Sequence, residues 1–93
     1  MNMKTFADAK FSLMKPVSGI IGKIPLGPNG LEISIIMHEG SYGGPAGLWE
    51  IGVFNDAGQV DLKCLEHDVL GYLDFPELEK KIQEIQEEFA QDS

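Results

Sequence analysis

Leu48-Trp49-Glu50-Ile51-Gly52-Val53-Phe54-Asn55-Asp56-Ala57-Gly58-Gln59-Val60-Asp61-Leu62-Lys63-Cys64-Leu65 reads as strand, tight turn and strand. Trp49, Ile51 and Val53 alternate with Glu50 and Gly52, so the first strand has one apolar face. Asn55 to Gly58 supplies the turn chemistry. Two registers fit it. A four-residue loop pairs Val53 with Val60 and sets Glu50 opposite Lys63, a favourable cross-strand charge pair. A three-residue loop with a glycine bulge slips the pairing by one and turns Val53 towards Asp61. The hydrophobic pattern favours the first. Upstream, Leu31-Glu32-Ile33-Ser34-Ile35-Ile36-Met37 also alternates, then turns apolar at Ile36. Strands over 31–37, 48–54 and 59–65 make a β-meander.

The C-terminal third reads as a helix. Asp74-Phe75-Pro76-Glu77 has the spacing of a capping box, in which Asp74 and Glu77 each accept the other's backbone N–H. Pro76 suits a first turn, where its missing N–H costs nothing. Leu78, Ile82, Ile85 and Phe89 recur at 4, 3 and 4, one stripe on a helix over 74–90. Leu73 and Leu78 stand where a hydrophobic staple is placed. Glu66 to Leu73 reads as a connector from sheet to helix. Residues 1–30 are ambiguous. Thr5 to Met14 fits a short helix, Lys10 to Met14 fits a strand, and Gly19 to Ile24 fits an edge strand amid glycines and prolines. The expectation is a single α+β domain over 1–93. It is a three- to four-stranded antiparallel β-meander packed against one C-terminal amphipathic helix. Its expected core runs through Ile33, Ile35, Met37, Trp49, Ile51, Val53, Val60, Leu62, Cys64 and Leu73 to the helix stripe.

Charge is divided unevenly. Residues 1–30 carry four lysines against Asp8, net +3, and residues 31–93 carry 14 carboxylates against three lysines, net −11. The chain has no arginine and a net charge of −8. Such a surface repels phosphate and draws cationic partners. Direct nucleic-acid binding is excluded on these grounds, because the bidentate contact to phosphate and guanine is an arginine contact. One cysteine allows no internal disulfide, and Thr5 to Asp8 interrupts any signal-like apolar run. The expected location is therefore cytoplasmic, with no membrane partner.

Each chemical candidate competes with a plain structural role. The stretch Glu39-Gly40-Ser41-Tyr42-Gly43-Gly44-Pro45-Ala46-Gly47 is glycine-rich but lacks a lysine and precedes a strand. It therefore reads as a long mobile hairpin loop with Tyr42 as a possible contact residue, not as a phosphate cradle. Cys64, His38 and His67 are the only thiol and imidazole groups, and no zinc-type spacing joins them. Cys64 falls at an inward strand position. Glu66, His67 and Asp68 could offer ligands to a divalent ion, but a solvated turn is the favoured reading. No metal, cofactor or catalytic residue is expected. Glu84, Glu87, Glu88 and Asp92 load negative charge onto the C-terminal half of the helix, where the helix dipole disfavours it.

The pattern Ser41-Tyr42-Gly43-Gly44, Leu48 to Phe54, Gly58 and Val69-Leu70-Gly71-Tyr72-Leu73, followed by an acidic helix, resembles small acidic accessory proteins of bacteriophages. The resemblance spans residues 31–90 and carries no catalytic motif. Some proteins of that kind are anti-CRISPR inhibitors, so it implies an inhibitor in the host cytoplasm.

The functional expectation is a non-catalytic acidic binding protein. It docks on a basic, nucleic-acid-binding surface of a host protein, such as a CRISPR-Cas effector, through Tyr42, Glu66, Asp68, Asp74, Glu84, Glu87, Glu88 and Asp92. The alternatives are a small metal- or thiol-dependent enzyme using His38, His67 or Cys64, and a structural homodimer.

Overall fold

A computed structural model describes residues 3–13, 18–66 and 68–91 of the chain. Among these residues six strands form one sheet: β1 (Lys10–Leu13), β2 (Gly19–Pro25), β3 (Glu32–His38), β4 (Trp49–Asn55), β5 (Gly58–Gln59) and β6 (Leu70–Leu73). The order is β1-β2-β3-β4-β5, and β6 also pairs with β4. Every pairing is antiparallel. One α-helix, α1 (Phe75–Gln91), follows β6. The α+β class and the antiparallel sheet with one C-terminal helix are as the sequence predicts.

The ambiguous first segment lengthens the sheet. Thr5 caps a 3-10 turn over Phe6–Asp8, and its hydroxyl accepts from the Ala7 N–H at 3.2 Å. The Asp8 carboxylate accepts from the Thr5 N–H at 2.8 Å. Of the alternatives for this segment, the helix is only this turn and Lys10–Leu13 is a strand, while Met14 lies outside the described residues. Gly19–Pro25 is an inner strand between β1 and β3, not an edge.

Residues directly opposite in a ladder share a face. On the helix side this gives one row of Ile24, Ile33 and Val53, and another of Phe11, Gly22, Ile35 and Ile51. Ile24, Ile33, Ile35, Ile51 and Val53 are fully buried, and so are Leu78, Ile82 and Ile85 of α1. Burying each such side chain contributes about 1.5–3 kcal/mol before entropy is counted. Met37, Trp49, Val60, Cys64 and Phe89 are only half-buried. Trp49, Val60, Cys64 and Phe89 still pack against the core, and Ile24 and Leu65 join its buried part. Phe11 lies over Gly22 so closely that a Cβ at 22 would stand 2.5 Å from its ring.

The first of the two turn registers is the one adopted. Phe54 pairs with Gln59, and the Val60 N–H donates to the Val53 carbonyl at 2.8 Å. Yet the strand expected over 59–65 stops at Gln59. A 3-10 turn over Lys63–Leu65 replaces it, so Lys63 never faces Glu50. Two apolar residues three apart, Leu62 and Leu65, stack on one face of such a turn, and both are buried. The vacated edge of β4 is taken by the connector: Leu73 pairs with Trp49 and Leu70 with Ile51.

The capping box forms at α1. The Glu77 N–H donates to Asp74 Oδ1 and the Asp74 N–H to Glu77 Oε1, each at 2.9 Å. The N-terminal segment is fastened along the same helix. The Phe6 N–H donates to Glu79 Oε1, and the Lys4 N–H and carbonyl bond both ends of the Gln86 amide, each at 2.8 Å.

Candidate functional site

The glycine-rich loop is held by a set of hydrogen bonds. Ser41 is buried, and its hydroxyl donates to the His38 carbonyl at 2.9 Å while accepting from the His38 N–H at 3.0 Å. The His38 ring is engaged as well, since Nδ1 accepts from the Gly40 N–H at 2.8 Å. A 3-10 turn over Gly44–Ala46 follows, and the Leu48 N–H closes back on the Gly43 carbonyl at 2.9 Å.

This loop docks on β6. The Tyr72 N–H donates to the Tyr42 carbonyl at 3.1 Å. Gly43 has φ +92°, and a Cβ there would meet the Tyr72 backbone at 2.8 Å. Glu50 accepts from the Tyr42 N–H at 2.9 Å. The register of β6 shifts against Trp49 and Ile51, a bulge that gives β6 an extra residue. Tyr72 sits in that bulge with φ +60°, a left-handed conformation that costs a bulky residue about 1–2 kcal/mol. Its side chain is turned outward. Tyr72 is 64 % exposed and Tyr42 62 % exposed. Two tyrosines far apart in sequence are thus joined through their backbones with both rings in solvent. After the buried Leu73 come the exposed Asp74 and Phe75.

Tyr42 was legible from the sequence, but Tyr72 was not. The signal was present, because Gly71-Tyr72 interrupts the apolar run from Val69 to Leu73. It pointed to a connector only.

The remaining acidic residues divide into two groups. Asp74 is committed to the helix cap. Asp68 accepts from the Val69 N–H at 2.8 Å and from Gln59 Nε2 at 3.1 Å, and these bonds hold its carboxyl below the ordinary carboxylate value. Glu88 caps the Lys63–Leu65 turn, accepting from the N–H groups of Lys63 at 2.8 Å and Cys64 at 3.0 Å. Partial desolvation pushes the Glu88 pKa up, but those backbone bonds and the Cys64 thiol outweigh it and hold it low. Glu84 Oε1 is buried and lies 3.0 Å from Lys81 Nζ, which gives its own hydrogen bond to the Cys64 carbonyl at 3.1 Å. Lys81 thus bridges the Glu84 carboxylate and the Cys64 carbonyl. The structure brings Glu66, Glu84 and Glu88 to one corner around the 3-10 turn, together with Lys63 and Lys81. Among the described residues the Glu66 and Glu87 carboxylates make no hydrogen bond or ion pair, although the Glu66 backbone N–H donates to the Lys63 carbonyl at 3.0 Å; Asp92 lies outside the described residues. From the basic first segment, only Lys23 pairs with an acid among the described residues, Glu32 at 3.6 Å.

Cys64 is half-buried, and its thiol is pushed up to about 11 by burial first and then by the Glu88 carboxylate. With that value the thiol is predominantly protonated at neutral pH. His67 lies outside the described residues. Among the described residues no group of three or more His, Cys, Asp or Glu side chains could hold a metal ion. No helix among them is long and apolar enough to cross a membrane.

No protein-family model matches the chain, and no curated protein and no solved structure matches it either.

Proposed function

We propose that this protein is a non-catalytic binding protein that docks on a basic surface of a partner protein. Tyr42 and Tyr72 are the anchors, and carboxylates supply the attraction. The observation that carries this reading is the Tyr42–Tyr72 junction. A bulky residue kept at positive φ with its ring in water is strain that packing alone does not call for. Exposed tyrosine rings accept lysine and arginine side chains over their faces, by about 0.5–1 kcal/mol at such sites. Asp74 stands two residues from Tyr72, and Glu66 and Glu87 add carboxylates that are unpaired among the described residues. Steering by a net charge of −8 makes the encounter fast and salt-sensitive. The engaged states of His38 and Cys64 favour binding over thiol or imidazole chemistry.

The basic surface is the nucleic-acid-binding groove of a host protein, and the inhibitor class implied by the phage resemblance fits that role. Competition tests it. A bacterial nucleic-acid-binding protein captured by the wild-type chain should lose its nucleic acid on titration, with release read by fluorescence anisotropy. The double variant Tyr42→Ala, Tyr72→Ala should leave the complex intact at equal concentration. Equal displacement by both would remove the tyrosine junction from the contact.

A further inference from the structure

Strand β1 ends the sheet, and among the described strands none pairs with its outer side. All four of its residues are exposed. Soluble proteins usually blunt such an edge, because its unpaired N–H and C=O groups are a template for another strand. Lys10 is the only charge on this edge strand. Phe11 and Leu13 share the helix-side face and are 40 % and 77 % exposed. The apolar surface continues inward, with the Phe11 ring centroid 5.2 Å from that of Phe6 and 6.1 Å from that of Trp49.

The other face carries an unbalanced charge. Lys10 lies directly opposite Lys23 in the β1–β2 pairing. Like charges in that position repel. Lys23 has Glu32 at 3.6 Å, whereas Lys10 has no acidic partner among the described residues. The edge therefore offers open backbone groups, an apolar row on one face and an uncompensated ammonium on the other.

We propose that β1 takes up an extended segment of another protein as a seventh strand, and that this segment alternates apolar and acidic side chains. Its apolar residues lie beside Phe11 and Leu13, and its acidic residues lie beside Lys10. Main-chain hydrogen bonds give such strand addition its affinity, and alternate side chains give it specificity. A second copy of the chain fits less well. Antiparallel pairing of two β1 strands about Ser12 sets Phe11 opposite the other copy's Leu13, but β1 contains no carboxylate to meet Lys10. The basic partner proposed above is repelled from the same spot, so the two surfaces are separate.

The test is an NMR titration of the full chain with a blocked octapeptide alternating valine and glutamate. Two comparators are used, one alternating valine and lysine and one with the valines and glutamates in separate blocks. Amide shifts and slowed exchange should centre on Lys10 to Leu13. The lysine and block peptides should bind at least about threefold more weakly, the scale of one exposed charge pair. Lys10→Glu should reverse the preference for glutamate over lysine, and Leu13→Asp should abolish binding while the far-UV spectrum stays unchanged. Tyr42→Ala with Tyr72→Ala should leave peptide affinity unchanged, so this proposal and the docking reading fail separately. Shifts centred elsewhere, equal affinity for the three peptides, or absence of binding would overturn it. So would a doubling of mass with concentration, accompanied by peptide-free shifts at β1, because a second copy would then be the occupant.

Discussion

The backbone N–H of Tyr72 donates to the carbonyl of Tyr42 at 3.1 Å, and this bond joins the glycine-rich loop to the bulged strand β6. Gly43 lets the two backbones approach, since a Cβ there would meet Tyr72. The loop is therefore a rigid support for an exposed ring. A contact residue on a preorganised support loses less entropy on binding than one on a free loop.

Tyr72→Gly separates the stability of this junction from its function. Glycine adopts φ +60° without penalty, so the variant should gain about 1 kcal/mol in urea unfolding, net of glycine's larger unfolded-state entropy. It should at the same time lose affinity for the partner. A variant that is less stable than wild type would show that Tyr72 is held by packing and not strained.

Gly22→Val tests the seat of Phe11. The new side chain must displace the Phe11 ring, which lies 6.1 Å from Trp49 between ring centroids. Overpacking of this kind costs about 1–3 kcal/mol. Trp49 is the only tryptophan, so its fluorescence should shift to longer wavelength as its neighbour leaves. An unchanged spectrum and unchanged stability would mean that the ring moves freely.

Glu88→Gln removes the charge that caps the Lys63–Leu65 turn. The amide cannot accept from both backbone N–H groups, so the loss should be about 1 kcal/mol in chemical unfolding. The Cys64 thiol should also become more acidic, though not fully, because burial is the larger cause of its raised value. Alkylation of Cys64 at about pH 9 should be faster than in wild type.

The same groups set the pH limits of the fold. Glu88 and Asp68 have depressed values in the folded chain, so their contribution is present above the ordinary carboxylate values of 4.5 and 3.8 and is lost as pH falls below them. Cys64 acts in the opposite direction. Its thiol holds its proton more tightly when folded, so that contribution is present below 9.0 and is lost as pH rises towards about 11. Thermal unfolding across pH should show a plateau between these limbs. In Glu88→Gln the acid limb should be shallower, since one linked carboxylate is gone.

What was legible in the sequence follows from local chemistry. Asp74 and Glu77 specify a capping box within four residues, and it forms as written. Leu78, Ile82 and Ile85 specify the buried stripe. The turn from Asn55 to Gly58 fixes the pairing of Val53 with Val60. What the sequence hid depends on competition between distant segments. Residues 59–65 have the alternation of a strand, but Leu70–Leu73 pairs with β4 instead, and Glu88, 25 positions after Lys63, caps the turn that results. Strand β1 and its Phe11–Gly22 seat could not be separated from a helix, because four residues hold too little periodicity. Of the acidic contact candidates, Asp68, Asp74, Glu84 and Glu88 turned out to hold the chain's own groups. Composition cannot distinguish a carboxylate that caps a turn from one that faces solvent. Among the described residues, Glu66 and Glu87 are the candidates whose carboxylates have no internal partner.

The most direct measurement is capture by immobilised wild type and the Tyr42→Ala, Tyr72→Ala variant in parallel, at salt concentrations of about 50 mM and about 500 mM. Each recovered protein is then tested for displacement of its nucleic acid. The docking reading predicts a partner held by wild type at low salt, lost at high salt, absent from the variant, and stripped of nucleic acid by the free wild-type chain. Recovery of the same proteins on both surfaces at both salt concentrations, with their nucleic acid undisturbed, would contradict it.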